Sequence, residues 1–373
     1  MRILQLGKAY PPANLGGVEV TIKLINEGLH GLGISCDVLG VNDSFFSKKE
    51  VSLFGTIYRE SLIIKAFSTL FSVKLIYRLF LIRNNYDVIH IHHPDPMSIF
   101  AVWLVRPKCK LVLHWHSDIL KQSFLLILYK PFQNWILNKC NAIICTSIPY
   151  AENSLHLKAF INKVSIIPIG IDKSSLKIHK PTIENIRNKF HNKKIVLSIG
   201  RFAYYKGYEF LIEAVKDFDK DIVLILIGEG ELKSRLQEKV IGLQLSEKVF
   251  FLGEISNVQR NCYLYMAELF VLSSIYKTEA FGIAQIEAMA FGKPIVSTKI
   301  PNSGVDWVNQ NMVSGITVQI RDAKAISSAV NLILNDKNLY SNLSVGSFKR
   351  FNANFTQVHM SNSIKILYEN ILK

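Results

Sequence analysis

Glu279 and Glu287 stand eight residues apart in the run Thr278-Glu-Ala-Phe-Gly-Ile-Ala-Gln-Ile-Glu287. A strand-like segment, Leu269-Phe-Val-Leu272, leads into it. Ile283, Ile286 and Ala290 follow at helical spacing, and Gly292 with Pro294 marks a helix end. The pattern predicts Glu279 in the turn before a helix and Glu287 inside it. Eight residues at the helical rise cover about 12 Å, comparable to the span from the sugar to the ribose of a nucleotide-sugar. The N–H groups of Phe281, Gly282 and Ile283 then face outward at the positive end of the helix dipole, a setting that attracts phosphate. Two glutamates at this spacing carry little alone, because glutamate is favoured in first turns. The strand–turn–helix frame is what points to a sugar diphosphate.

Arg201 and Lys206 lie on a loop flanked by Gly200 and Gly207 after an apolar strand. Two cations there can absorb charge that develops on a departing diphosphate; solvated surface cations are the plainer reading. Gly16 and Gly17 follow a Pro-rich turn and let backbone N–H groups approach phosphate, or simply form a turn. His116, flanked by Trp115 and Asp118, is placed to hydrogen-bond a sugar or to assist an acceptor hydroxyl, with His114 as competitor. His90, His92, His93, His114 and His116 raise zinc as an option. Strand alternation argues against it, and no Cys or carboxylate completes a ligand set, so no metal is expected. Asp217-Phe-Asp219-Lys-Asp221 has an acid-x-acid pattern but precedes a strand, which puts it at the wrong end of the sheet.

The elements that must position these residues are short strands alternating with helical segments. The first series is Ile3–Leu6, Cys36–Leu39, Val88–Ile91, Leu111–His114, Ala142–Cys145 and Ser165–Pro168. The second is Ile195–Ile199, Ile222–Ile227, Val249–Leu252, Leu269–Leu272 and Pro294–Ser297. The stretch Asp172 to Lys194 reads as a linker plus a short helix. Glycine and polar residues gather after the strand ends (Gly7-Lys8-Ala-Tyr-Pro-Pro-Ala-Asn-Leu-Gly16-Gly17; His92-His-Pro-Asp-Pro96; Gly228-Glu-Gly230), the edge where open α/β sheets bind ligands. The reading is α/β, with domains 1–171 and 172–355. Residues 356–373 form an amphipathic helix (Ile364, Ile366, Leu367, Ile371, Leu372).

With 373 residues and 49% hydrophobic content, the chain can build two cores and is not disordered. Five scattered cysteines read as buried thiols of a reducing compartment, and the N-terminus lacks a signal-peptide layout. The net charge of +15 is concentrated in residues 1–180, at +10. That excess favours anionic partners. Arg59, Lys65, Lys74, Arg78 and Arg83 interleave with Leu62, Ile63, Phe67, Leu70, Phe71, Leu75, Ile76, Leu79, Phe80 and Ile82. The run reads either as a headgroup-level helix or as a core-packed amphipathic one. No nucleic-acid-binding motif is apparent, so a basic nucleic-acid module is the minor alternative.

Taken together, Gly16-Gly17, Arg201, Lys206, Gly228-Glu-Gly230 and Glu279 through Glu287 resemble glycosyltransferase family 4, and the resemblance covers nearly the whole chain. It implies a GT-B fold, two doubly wound Rossmann-like domains facing a central cleft, with the C-terminal helix packing back onto the first. By the same resemblance Arg201 and Lys206 bind the donor diphosphate, and Glu279, Phe281, Gly282 and Ile283 contact the donor sugar. Glu287 holds ribose, and His116 lies near the sugar. The family is retaining and metal-independent, with front-face attack and a donor phosphate oxygen taking the acceptor proton. The Gly-Lys-Ala-Tyr-Pro-Pro, His93-Pro-Asp-Pro96 and His116-Ser-Asp118 segments look like bacterial enzymes of O-antigen, capsule or exopolysaccharide assembly. That implies GDP-mannose as donor, a polyprenyl-diphosphate-linked saccharide as acceptor, and a cytoplasmic location against the anionic inner membrane face. A sugar phosphorylase or epimerase on the same fold is the enzymatic alternative.

Overall fold

The computed structural model describes residues 1–12, 16–66, 69–119 and 123–373, with the backbone alone for residues 123–126. Ala13, Asn14 and Leu15 of the loop after the first strand, and Phe67 of the basic-apolar run, lie outside the described residues. The chain divides into two compact units, Met1–Gly170 with Gln357–Lys373, and Ile171–Thr356.

The first unit runs β1 (Ile3–Leu6), α1 (Gly17–His30), β2 (Cys36–Val41), β3 (Lys48–Ser52), β4 (Gly55–Glu60), a hairpin of β5 (Ile64–Ala66) and β6 (Thr69–Phe71), α2 (Val73–Ile82), β7 (Val88–His93), α3 (Pro96–Val105), β8 (Lys110–Trp115), α4 (Ser123–Lys139), β9 (Ala142–Cys145), α5 (Ile148–Asn153) and β10 (Val164–Ile166). Its sheet has the order β10-β9-β8-β7-β1-β2-β4-β3, parallel except for β3. Strands β1, β7 and β9 are buried along their whole length, as expected for a sheet covered on both faces. The order reverses beside β1, so the loops leaving β1 and β7 flank a switch point.

The second unit runs α6 (Lys180–Lys189), β11 (Lys194–Ile199), α7 (Tyr208–Ala214), β12 (Ile222–Ile227), α8 (Lys233–Gly242), β13 (Val249–Gly253), α9 (Asn257–Met266), β14 (Leu269–Leu272), α10 (Ile283–Ala290), β15 (Ile295–Lys299), α11 (Val305–Val308), β16 (Gly315–Gln319), α12 (Ala323–Asn335) and α13 (Lys337–Asn354). All six strands are parallel, in the order β13-β12-β11-β14-β15-β16. The reversal falls between β11 and β14, so the loops carrying Arg201 and Glu279 leave adjacent strands. Ile222, Leu224 and Leu226 of β12 pack with Leu211, Leu236 and Val330 of the covering helices. The last helix, α14 (Gln357–Leu372), belongs to the first unit and packs along α1. There Ser361 lies so close to Gly28 that a Cβ on the glycine would sit 2.0 Å from its Oγ.

Three sequence expectations need correction. The run from Arg59 to Arg83 is not one helix: it is the end of β4, the β5/β6 hairpin and the ten-residue α2. In α2 Leu75, Leu79 and Ile82 are buried while Phe80 is exposed, because only every third or fourth residue of a helix faces the sheet; outside it Leu70 is buried and Ile63 and Phe71 are exposed. The pattern of apolar runs marks none of β3, β4 and β16: β3 and β16 are half-exposed edge strands, and β4 mixes buried with half-buried polar residues. In α14 the buried face is Met360, Ser361, Ile364 and Tyr368, leaving Ile366 and Leu372 exposed.

Candidate functional site

In the second unit the switch point is built by two loops that hold each other. Ser273 Oγ donates to the Lys206 carbonyl (2.9 Å), and the Ile275 N–H donates to the Tyr205 carbonyl (2.8 Å). Gly207 (φ +63°) is required here, since a Cβ would lie 2.3 Å from the Ser273 carbonyl oxygen. The pairing brings Lys206 Nζ to 2.5 Å from Glu279 Oε2, with both side chains about nine-tenths buried. Ser274 Oγ donates to the same carboxylate oxygen at 2.9 Å, and Ser303 Oγ donates to the Glu279 carbonyl at 2.5 Å. Burial disfavours the charge on Lys206, but the Glu279 carboxylate outweighs it and holds the ammonium above its ordinary pKa.

Glu279 sits in the turn before α10, as the spacing predicted. Gly282 is the N-cap residue at φ +79°, and a Cβ there would meet Leu272 Cδ2 at 2.7 Å. The buried Gln285 braces this turn by donating to the Phe281 carbonyl at 2.7 Å. Ile283 opens α10 and Glu287 lies one turn further in, with Glu287 Oε1 2.9 Å from Arg260 Nη2. Burial pushes the Glu287 carboxyl up, and Arg260 opposes that shift. Arg201 differs: it is largely exposed and pairs with Glu231 at 3.0 Å on the neighbouring loop. That neighbour is the Gly228-Glu-Gly230 turn. A Cβ on Gly228 would lie 2.1 Å from the Gly200 carbonyl oxygen, and one on Gly230 would lie 2.5 Å from that of Phe202, so only glycine lets the loops touch. Asp217 and Asp219 lie before β12, and Asp221 pairs with Lys194 at 3.0 Å, away from this edge.

In the first unit, Gly16 is the N-cap of α1 and Gly17 its first residue. The anion at that terminus is the chain's own buried Glu19, whose Oε2 would lie 2.6 Å from a Cβ on Gly16. His116 is just past β8. His90, His92, His114 and His116 share one face of the sheet, because each pair is two residues apart and β7 registers His92 against His114. Alternation along the strand therefore gathers these four and sends only His93 to the other face, where it stacks on Trp115 at 3.7 Å. Burial lowers His90, His93 and His116 to about 3 each. Asp118 serves Trp115 Nε1 (2.9 Å) and Ser154 Oγ (2.8 Å). His90, His92 and His114 each bring one ring nitrogen within 4.8 Å of the others. The alternation invoked against zinc therefore does the opposite of what was expected: it brings these imidazoles together, with ring planes within 7–27° of parallel.

Residues 15–175 match the family described as Glycosyltransferase Family 4, and residues 179–350 match that described as Glycosyl transferases group 1. The chain belongs to the family 4 glycosyltransferases. Members similar to it include the O-antigen chain mannosyltransferase C of Escherichia coli, 29% identical over all of this chain and 99% of that one. The D-rhamnosyltransferase WbpZ of Pseudomonas aeruginosa is 28% identical over 88% of this chain and 86% of its own. Among solved structures, sucrose-phosphate synthase from Thermosynechococcus elongatus superposes with a TM-score of 0.81 at 22% identity, covering 99% of this chain and 98% of that one. Anabaena Alr3699/HepE in complex with UDP gives 0.77 at 18%, covering 99% and 100%. The two Rossmann-like sheets are those of the GT-B fold.

Within this glycosyltransferase, several site residues carried no sequence signal of their own. Ser274 and Ser303 become visible only once β14 and the loop after β15 are placed together, and Arg260 only once α9 faces α10. Gln5 was legible in principle, as the single polar residue of the otherwise apolar Ile3–Leu6.

Proposed function

We propose that this chain transfers a sugar, mannose in the first instance, from a nucleoside diphosphate to a lipid-linked oligosaccharide of a bacterial surface polysaccharide. The observation that carries the reading is the Lys206–Glu279 pair at the β11/β14 switch point, set directly before the N-terminus of α10. A buried ammonium with an unusually high pKa is always charged and suits a diphosphate; the paired carboxylate is a ready acceptor for sugar hydroxyls. In this proposal Arg201 adds a second cation to the diphosphate by leaving Glu231. Phe281, Gly282 and Ile283 offer backbone amides, and Glu287 accepts from ribose. Gly16 and Gly17 complete the donor contacts with Glu19 sharing the α1 terminus, and His116 meets the transferred sugar. Reaction with retention and without a metal ion is part of the same reading, with the protein's cations in the charge-neutralising role. The name of the E. coli relative supports an O-antigen role, and that of the P. aeruginosa relative makes D-rhamnose the second sugar to try.

The acceptor's lipid, the +15 charge and exposed apolar side chains on the first unit support peripheral attachment to an anionic inner membrane face. Among the described residues no helix is long and apolar enough to cross a membrane. The deciding experiment is a thermal-shift screen with GDP, UDP, ADP and dTDP, followed by transfer assays with sugar variants of whichever nucleotide binds. Stabilisation by GDP and turnover of GDP-mannose is the expected result. Turnover of a sugar with inorganic phosphate and no nucleotide would establish a phosphorylase instead.

A further inference from the structure

The four same-face histidines form a two-by-two array. His90 lies beside His114, with Nε2 3.3 Å from Nδ1, and His92 lies beside His116, with Nδ1 2.9 Å from Nε2. The two pairs stack, His90 on His92 at 4.6 Å and His114 on His116 at 4.0 Å between ring centres. Both pairs begin at Gln5, a fully buried residue of β1. Its Oε1 is 2.8 Å from His92 Nε2, and its Nε2 is 3.5 Å from the Tyr368 hydroxyl, which is in turn 2.5 Å from His90 Nδ1. Gln5 also hydrogen-bonds the Cys36 thiol.

The donor and acceptor inventory of these groups leaves one consistent assignment for the second pair. An amide oxygen only accepts, so His92 donates from Nε2. A neutral His92 must then accept at Nδ1, so His116 donates from Nε2. A neutral His116 is left with an unprotonated Nδ1. Orienting the Gln5 amide the other way would turn its N–H groups on His92 and take them from Tyr368 and Cys36. We propose that Gln5 and His92 are positioning residues that hold His116 in its Nε2–H tautomer. The imidazole then presents a lone pair at Nδ1, and its partner in the reaction is a sugar hydroxyl that donates a hydrogen bond, not a group that can only accept one. This rests on the reading that His116 meets the transferred sugar. The logic is that of a histidine whose reactive nitrogen is set by the bond the other nitrogen makes.

The test uses the full chain labelled with nitrogen-15 histidine, with the His116 signals assigned by their loss in His116→Ala. In the wild type, Nε2 carries the proton and Nδ1 does not. Gln5→Met removes the anchor while filling the space; His116 then reports a mixture of tautomers, and kcat falls about tenfold with little change in donor KM. His92→Phe keeps the stacking, removes the acceptor and gives the same result. A wild-type His116 protonated on Nδ1 overturns the assignment, and that spectrum needs no variant to fold. So does a Gln5→Met protein with unchanged tautomer and kcat, or stoichiometric zinc uptake that shifts these nitrogens. Wild-type turnover by His116→Ala would instead overturn the sugar-facing role, which the spectra do not touch.

Discussion

Lys206 and Glu279, from loops that follow different strands, form a buried ion pair 2.5 Å long at the edge of the second sheet. Each is the other's counter-charge, so the pair holds two loops together as well as lying at the proposed site. Lys206→Ala leaves a buried carboxylate without its partner and should cost about 3–5 kcal/mol of stability as well as transfer. The double variant Lys206→Met/Glu279→Gln should recover most of that stability while remaining inactive. Chemical denaturation beside a transfer assay checks this; full activity in the double variant would remove both residues from the mechanism.

Arg260 opposes the upward push that burial exerts on Glu287. Replacing it with Leu leaves burial unopposed, so the carboxyl takes up its proton at higher pH. A protonated carboxyl accepts from ribose poorly. Nucleoside-diphosphate affinity, followed by calorimetry from neutral into weakly acidic buffer, should therefore begin to fall at a higher pH in Arg260→Leu than in the wild type. Identical pH curves would separate Glu287 from the nucleotide.

Five buried histidines make the first unit acid-labile. Burial holds His90, His93 and His116 near 3 and also lowers His92 and His114 well below the ordinary value, while unfolded histidine titrates near 6.5. The unfolded chain therefore binds more protons between those limits. Stability is present above about pH 6.5 and is lost as pH falls toward 3, by up to about 1.4 kcal/mol per pH unit for each histidine. Denaturant midpoints that stay flat from pH 7 to about pH 5 would contradict this.

Phe45 and Phe46 after β2, Ile63 after β4 and Ile64 at the start of β5 are exposed, and their segments are tied together by Leu62 N–H to the Ser44 carbonyl (2.9 Å) and Ser61 N–H to Ser47 Oγ (3.0 Å). Lys48, Lys49 and Lys65 adjoin them. Acidic vesicles should sediment the protein at low salt, and changing the four apolar residues to serine should weaken partitioning at least about tenfold. Equal sedimentation of both proteins would place the membrane contact elsewhere.

Transfer should persist in EDTA. Complete loss that Mg²⁺ or Mn²⁺ restores would assign the diphosphate to a metal ion and not to Lys206 and Arg201.

What was legible in the sequence follows from burial. Ile222–Ile227 is apolar on both faces and announced itself, as did Leu269–Leu272. The half-exposed Lys48–Ser52 did not, because an edge strand owes its shape to a neighbour's backbone. Glu279, Gly282 and Glu287 were found because a strand, a turn and a helix dictate their places locally. Lys206 was legible from its glycine-flanked loop, but its pairing with Glu279 was not, and Ser274 and Arg260 carried no signal, since these contacts arise only through the strand order. The histidines illustrate the same limit: their spacing fixed which face each occupies, but only the β7–β8 register turned two pairs into an array.

Tyr368 closes on His90 across 278 positions of chain. Residues 171–356, the whole of the second unit, lie between these two groups in the chain. The first unit's sheet therefore depends for the cap on its imidazoles on a helix from beyond the second unit, so its completion rests on a contact of very long loop closure.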